Sequence, residues 1–228
     1  MSSPGYGSAF AIWREVAPDW QAYTHHGFVE GLGDGSLPRA AFLHYLKQDY
    51  VFLIHFARAW ALAAAKAGTL AEMQAASATL HALTHIEMPL HIRICADAGI
   101  PAAALESTQE EPANLAYTRY VLEAGYSGDF LDLMAALAPC VLGYGEIGAR
   151  LAGSGGPYAD WIATYGGAEY QQLCRDVGDL IDGALVQRLG PDWPALPRAA
   201  ALSARFATAT RLEVGFWQMG LQPGPAPA

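Results

Sequence analysis

Charge and thiol are both scarce in this sequence. Only 15% of its 228 residues are Asp, Glu, Lys or Arg, whereas 53% are hydrophobic. A chain of that balance buries too much apolar surface to remain disordered. Basic residues are outnumbered 13 to 22, the net charge is −9, and no basic cluster exists. Nucleic acid is therefore not an expected partner. The three cysteines, Cys95, Cys140 and Cys174, are odd in number, far apart and never in a CxxC pair, which argues against a disulfide framework or a zinc knuckle. The start, "MSSPGYGSAFAIWREV", has neither a positive n-region nor an apolar h-region, and the longest low-charge run, "DYVFLIHFARAWALAAAKA", is interrupted by His55 and Arg58. The expectation is a soluble, cytoplasmic protein with no membrane partner.

Phosphate loops are missing too. "GLGDGSLP" precedes a helix but follows no strand, so it reads as a turn. Histidine is absent after residue 91: His25, His26, His44, His55, His81, His85 and His91 are the full set. His81 and His85 are one turn apart, as are Glu87 and His91, a spacing compatible with metal ligation. A di-iron bundle, however, draws its ligands from several helices, and the later helices here offer no histidine. These residues read as surface or core-satisfied histidines, with Glu87 and His91 a structural pair. No metal or other cofactor is expected.

What is abundant is helical spacing, and no stretch sustains strand alternation. A first helix begins near Ser8, meets Pro18 as a kink or break, and resumes through "WQAYTHHGFVEGL" to the turn "GDGSLP". Ser36 is the expected N-cap of the next helix, with Pro38 just inside it. That helix runs to about Lys66, roughly 45 Å at 1.5 Å per residue. Thr69 to Ala98 reads as one long helix, followed by a loop, "GIPAAALESTQEEP". Pro112 opens a helix to Ala124, and Gly128 precedes another that contains "LMAALAPCVLGYGEIGARLAG". "YADWIATYG", "AEYQQLCRDVGDLIDGALVQRLG" and "RAAALSARFATATRLEVGFWQMG" complete the set. The reading is an all-α bundle of seven or more helices. Residues 1–228 form one domain in this reading, with a core of about 8–220 and a flexible tail, 221–228.

Polar residues on buried stripes carry the functional signal, because burying them unpartnered costs free energy. Asp49 has Phe42, Tyr45, Phe52 and Phe56 at helical spacing. It reads equally as a core acid paired with an Arg or a His and as a functional carboxylate. Glu213 has Phe206, Phe216 and Trp217 around it; pairing with Arg205 or Arg211 at a subunit seam is its structural alternative. Cys140 lies among Leu133, Leu137, Tyr144 and Ile147. A lone cysteine on such a stripe is usually inert packing, which is how Cys95 and Cys174 read. Pro139 sets Cys140 apart: it lacks an N–H for the carbonyl of Ala135 and kinks the helix, making room beside the thiol. Gly143, Gly145 and Gly148 then permit the close approach of another backbone or a ligand.

Five segments, "FVEGLGDGSLPRAAFLHYLKQDYVFLIHFA", "HIEMPLH", "SGDFLDLMAALAPCVLGYGEIG", "WIATYGG" and "RLEVGFW", resemble the TenA family, thiaminase II or aminopyrimidine aminohydrolase. They occur in order over roughly Phe10 to Met219. The resemblance implies a haem-oxygenase-like bundle without haem, assembled as a homotetramer. It implies hydrolysis of thiamine, or of its breakdown product 4-amino-5-aminomethyl-2-methylpyrimidine, to 4-amino-5-hydroxymethyl-2-methylpyrimidine in thiamine salvage. The family's nucleophile falls on Cys140 in "APCVLGYGE", its substrate-orienting Asp on Asp49 in "LKQDY", and its acid/base Glu on Glu213 in "LEVGFW". Its pocket tyrosines fall on Tyr117, Tyr144 and Tyr165. Phe52 stands where the family's best-known members have a tyrosine, which keeps ring contact and removes a hydroxyl.

The chemistry fits these residue types. Displacing a group from the 5-methylene of an aminopyrimidine requires the ring to lose aromaticity briefly, which a thiolate achieves by adding to a ring carbon. One carboxylate fixes the amidine edge, and an acid with a raised pKa protonates the other ring nitrogen. Two alternatives remain: another enzyme on the same bundle, pyrroloquinoline-quinone-synthase-like or a di-metal oxidase, and a non-catalytic pyrimidine-binding or regulatory protein.

Overall fold

The computed structural model describes residues 5–222, and among them there are helices and no strand. The helices are α1 Ser8–Val16, α2 Trp20–Thr24, α3 Gly27–Asp34, α4 Arg39–Lys66, α5 Leu70–Ala82, α6 Met88–Asp97, α7 Ala102–Glu106, α8 Pro112–Ser127, α9 Phe130–Leu151, α10 Ala159–Gly166, α11 Ala168–Leu189 and α12 Pro197–Leu221. Of the tail expected to be flexible, Leu221 still belongs to α12, and residues 223–228 lie outside the described residues.

At the centre runs α9, packed against α2, α4, α8, α10, α11 and α12. Its sequence explains why. Between Asp132 and Glu146 it carries no charge, and nearly every residue from Phe130 to Leu151 is buried. It is long and apolar enough to cross a membrane, yet 94% of its most apolar window is buried inside the protein. Its start is fixed by a capping box in which Asp129 accepts from the Leu131 and Asp132 amides and Asp132 accepts from the Asp129 amide. Such caps contribute ~1 kcal/mol. Arg198 and Arg205 then reach from α12 to the Asp132 carboxylate. This consumes Arg205 and removes it as a partner for Glu213.

Four boundaries differ from expectation, each for a local reason. Pro38 itself caps α4 in extended conformation, while the Ser36 amide closes a turn onto Asp34 Oδ1 at 2.8 Å. The segment "WQAYTHHGFVEGL" is two helices, because His26 turns extended and its side chain accepts the Phe28 amide. The loop after α6 contains α7. The helix expected from Thr69 to Ala98 is interrupted by a π-helical turn, Leu83–Glu87. Pro89 has no N–H for the His85 carbonyl, and its ring crowds the turn before it. Widening that turn by one residue lets the Met88 amide bond the Leu83 carbonyl instead.

A candidate active site at the centre of the bundle

Buried stripes on α4, α8, α9 and α12 converge with their polar exceptions facing one another. The Cys140 thiol on α9 and the Glu213 carboxyl on α12 lie close enough for each to act on the other's ionisation. From α8, Tyr117 donates its hydroxyl to Glu213 Oε1 at 2.8 Å. Asp49, on α4, accepts from the Tyr45 hydroxyl at 3.2 Å, and the Tyr45 and Tyr144 hydroxyls are 3.4 Å apart. Asp49 is close enough for its charge to act on both Cys140 and Glu213. The aromatic residues predicted for the site pack around these groups. The Phe52 ring lies 5.0 Å from Tyr117 and 5.2 Å from Phe216, and the Tyr144 ring 5.0 Å from Tyr165 and 5.2 Å from Trp217.

A cavity of about 500 Å³ reaches this centre from the side of α5, α10 and α11. Phe56, Leu83, Ile86, Glu87, Tyr170 and Cys140 are among its lining residues. The gap expected next to Pro139 is thus present, although α9 remains a continuous helix through it. The Tyr23 hydroxyl donates to the Pro139 carbonyl at 3.1 Å and holds the helix at that point. Cys140 is 8% exposed and faces the cavity, whereas Asp49 and Glu213 are 2% and 1% exposed and sit behind its wall. Of these three groups only the sulfur reaches the cavity wall.

Sequence reasoning missed three members of the site, Tyr45, Glu87 and His91. His91 is fully buried on α6, with Nδ1 3.0 Å from Asp49 Oδ2 and Nε2 3.4 Å from the Tyr165 hydroxyl. Tyr165 donates to Glu87 Oε1 at 2.5 Å. Glu87 and His91 therefore form no isolated structural pair; they extend the Asp49 cluster to the cavity. Their spacing is visible in the sequence, but the π-helical turn that aims Glu87 inward is not. His81 and His85 stack on each other, exposed, away from this centre.

Asp49, Glu87 and His91 each offer one ligand atom, all within 4.8 Å of one another, a separation a metal ion tolerates. One oxygen of each acid is engaged, Asp49 Oδ2 by the Tyr45 hydroxyl and the imidazole and Glu87 Oε1 by the Tyr165 hydroxyl. The arrangement is a chain of close polar contacts, with an ion pair between His91 and Asp49 and hydrogen bonds through the tyrosine hydroxyls.

Burial dominates the electrostatics. It pushes the Glu213 carboxyl up to about 8, reinforced by the Asp49 charge and opposed by the hydrogen bond from Tyr117 and by the nearness of Cys140. The Cys140 thiol is raised well above its usual value by burial and by the charges of Glu213, Glu87 and Asp49. At rest it is a thiol. Burial would lower His91, but contact with Asp49 and the charges of Asp49 and Glu87 outweigh it and leave the imidazole raised.

The raised Glu213 has a consequence for stability. The folded chain keeps a proton that the unfolded chain releases above the ordinary value of 4.5. Its favourable contribution is complete below that value and is lost as pH rises through about 8. Glu213→Gln removes the titration and keeps the oxygen that accepts from Tyr117. The variant should melt close to wild type at pH 5 and roughly 4 °C or more above it at pH 9. Thermal unfolding at the two pH values is the check, and no relative gain at pH 9 would contradict a buried, proton-holding Glu213.

The all-α bundle has the haem-oxygenase-like fold, and that fold defines the class of protein. Within that class the chain belongs to the TENA/THI-4/PQQC family, whose model matches residues 13–223. It is 41% identical over 213 residues to an uncharacterised protein of Haemophilus influenzae, covering 91% of this chain and 96% of that one. It is 37% identical over 218 residues to the aminopyrimidine aminohydrolase of Halalkalibacterium halodurans, covering 92% and 94%. Among solved structures, a TenA family transcription regulator from Silicibacter sp. TM1040 superposes with a TM-score of 0.95 at 62% identity, covering 98% of this chain and all of that one.

Proposed function

We propose that the protein hydrolyses thiamine or 4-amino-5-aminomethyl-2-methylpyrimidine to 4-amino-5-hydroxymethyl-2-methylpyrimidine, with Cys140 as nucleophile. The observation that carries this reading is the close approach of the Cys140 thiol and the Glu213 carboxyl at the centre of the bundle, next to a cavity large enough for one heterocycle. The 37% identity to an aminopyrimidine aminohydrolase over nearly the full length of both chains supports it.

In this mechanism the resting thiol must be deprotonated only when a ring is present. Glu213 gives the proton it holds to the ring nitrogen it faces and takes the thiol proton in its place as sulfur bonds to the ring carbon. Asp49 holds the exocyclic amine and the adjacent nitrogen. The tyrosine hydroxyls fix both acids, and the rings of Phe52, Tyr144 and Tyr165 stack against the heterocycle and keep water away. The leaving group then departs from the methylene, water adds there, and sulfur is released as the ring regains aromaticity. Incubating the protein with both substrates and assaying for the hydroxymethyl pyrimidine tests the reading directly. Cys140→Ser is the control, and absence of product from either substrate with wild type rejects it.

Asp49→Asn keeps the shape and loses the charge that the amidine edge bonds. Its expected effect is a rise in KM of roughly 10–100-fold, with kcat changed less, as for loss of a charge-assisted hydrogen bond. Steady-state kinetics separate the two, and an effect confined to kcat would assign Asp49 a different role.

A second reading, a ligand-responsive regulator, is favoured by the description of the 62%-identical structural neighbour. It needs the aromatic pocket but no thiol, and a regulator with a net charge of −9 would act through a protein partner more readily than through DNA. Tight pyrimidine binding without turnover would support it.

A further inference from the structure

Glu87 is the one acid of this centre that the scheme above leaves idle, and it is half-buried. It ends the π-helical turn Leu83–Glu87 and lines the cavity together with Cys140. The groups facing it are His91 on α6, Asp49 and Tyr45 on α4, Cys140 on α9, Tyr165 on α10 and Tyr170 on α11. The Tyr165 hydroxyl fixes Oε1. Burial and the Asp49 charge raise its carboxyl while His91 and Tyr165 oppose them, leaving it at about 7. A group balanced there can both give and take a proton near neutrality.

Hydrolysis requires two proton transfers on the methylene side that Glu213, committed to sulfur and the ring nitrogen, does not serve. When the C–N bond to the amine breaks, the bonding pair goes to nitrogen, which needs a proton. When water attacks the methylene carbon, its oxygen must lose one. We propose that Glu87 is the catalytic acid–base for the leaving group and the attacking water. Its carboxylic acid protonates the departing amine, and the carboxylate so formed takes a proton from water as the C–O bond closes. Sulfur then recovers its electron pair, and the ring-nitrogen proton returns to it through Glu213. One amine leaves, one water is consumed, and Glu87 ends as it began. The assignment rests on the aminopyrimidine reading above.

The two substrates separate these roles. A thiazolium leaves as neutral thiazole once it receives the bonding pair and needs no proton, whereas an amine does. In Glu87→Gln, thiamine should give a burst of about one equivalent of thiazole at close to the wild-type rate. The pyrimidine should then remain as an adduct on Cys140, visible by intact mass, with hydroxymethyl pyrimidine appearing ~10²-fold or more slowly than in wild type. The aminomethyl pyrimidine should give no burst, with ammonia release slowed to a similar degree. Wild-type rates with both substrates, or a thiazole burst slowed as much as the final product, would overturn the assignment, since a merely structural role affects every step. If the Gln variant does not fold, Glu87→Asp must show the same split on a smaller scale, and a uniform loss there also overturns it. A wild-type protein inert toward both substrates would instead reject the aminopyrimidine reading itself, and the assignment of Glu87 with it.

Discussion

Cys140→Ala should lower kcat for hydrolysis ~10³-fold or more while leaving pyrimidine binding within a few-fold of wild type. The size follows from what sulfur does. Without an adduct, the leaving group must depart from an aromatic ring that has no electron pair to push it out, and Asp49 and Glu213 can only bind the substrate. Binding survives because the contacts proposed to hold the heterocycle come from α4, α8, α10, α12 and Tyr144 of α9 rather than from the thiol. Cys140 is 8% exposed, so truncation to Ala removes one atom at the cavity wall and costs little stability. Isothermal titration of the variant with the hydroxymethyl product measures binding, and product formation measures chemistry. Retained turnover would remove the nucleophile assignment. Loss of binding and turnover together would mean that the thiol supports the pocket rather than the reaction.

The site residues legible in the sequence are those on regular helices. Asp49 announces itself because Phe42, Tyr45, Phe52 and Phe56 share its stripe, and α4 is an unbroken 28-residue helix on which that arithmetic holds. Glu213 is legible for the same reason on α12, and Cys140 on α9. Three helices whose stripes are apolar except for one polar residue must bury those residues together, and burial forces them to find one another as partners. The resemblance to a known family named the same positions independently. Glu87 and His91 escape this reading because their helix is not regular. Counting 3.6 residues per turn across Leu83–Glu87 assigns each side chain the wrong direction once the π turn inserts its extra residue. The cue is Pro89, which sits where an uninterrupted helix cannot easily hold it. The position of the acids behind the cavity wall is equally illegible, since spacing specifies a helix face and says nothing of which layer a ligand meets first.

Gly148→Ala should unfold the protein at a temperature roughly 6 °C or more below wild type, and should impair turnover even at temperatures where the chain is folded. A Cβ at position 148 would overlap the Tyr165 carbonyl carbon and lie 2.6 Å from the Gly166 nitrogen. Those are backbone atoms at the end of α10, and no side-chain rotation relieves such an overlap. Either α10 moves off α9 or the bundle opens. Moving α10 carries Tyr165 with it, and Tyr165 is the donor that fixes Glu87 and the neighbour of both His91 and Tyr144. The same substitution elsewhere provides the contrast. Gly183 is helical and exposed, and a methyl group added there would have no neighbour within 4 Å. Gly183→Ala should therefore stabilise by up to ~1 kcal/mol through lost unfolded-state entropy. Calorimetry of the two variants separates close approach from helix propensity. If Gly148→Ala melts like wild type, α9 and α10 are not in backbone contact, and the placement of Tyr165 beside Glu87 fails with it.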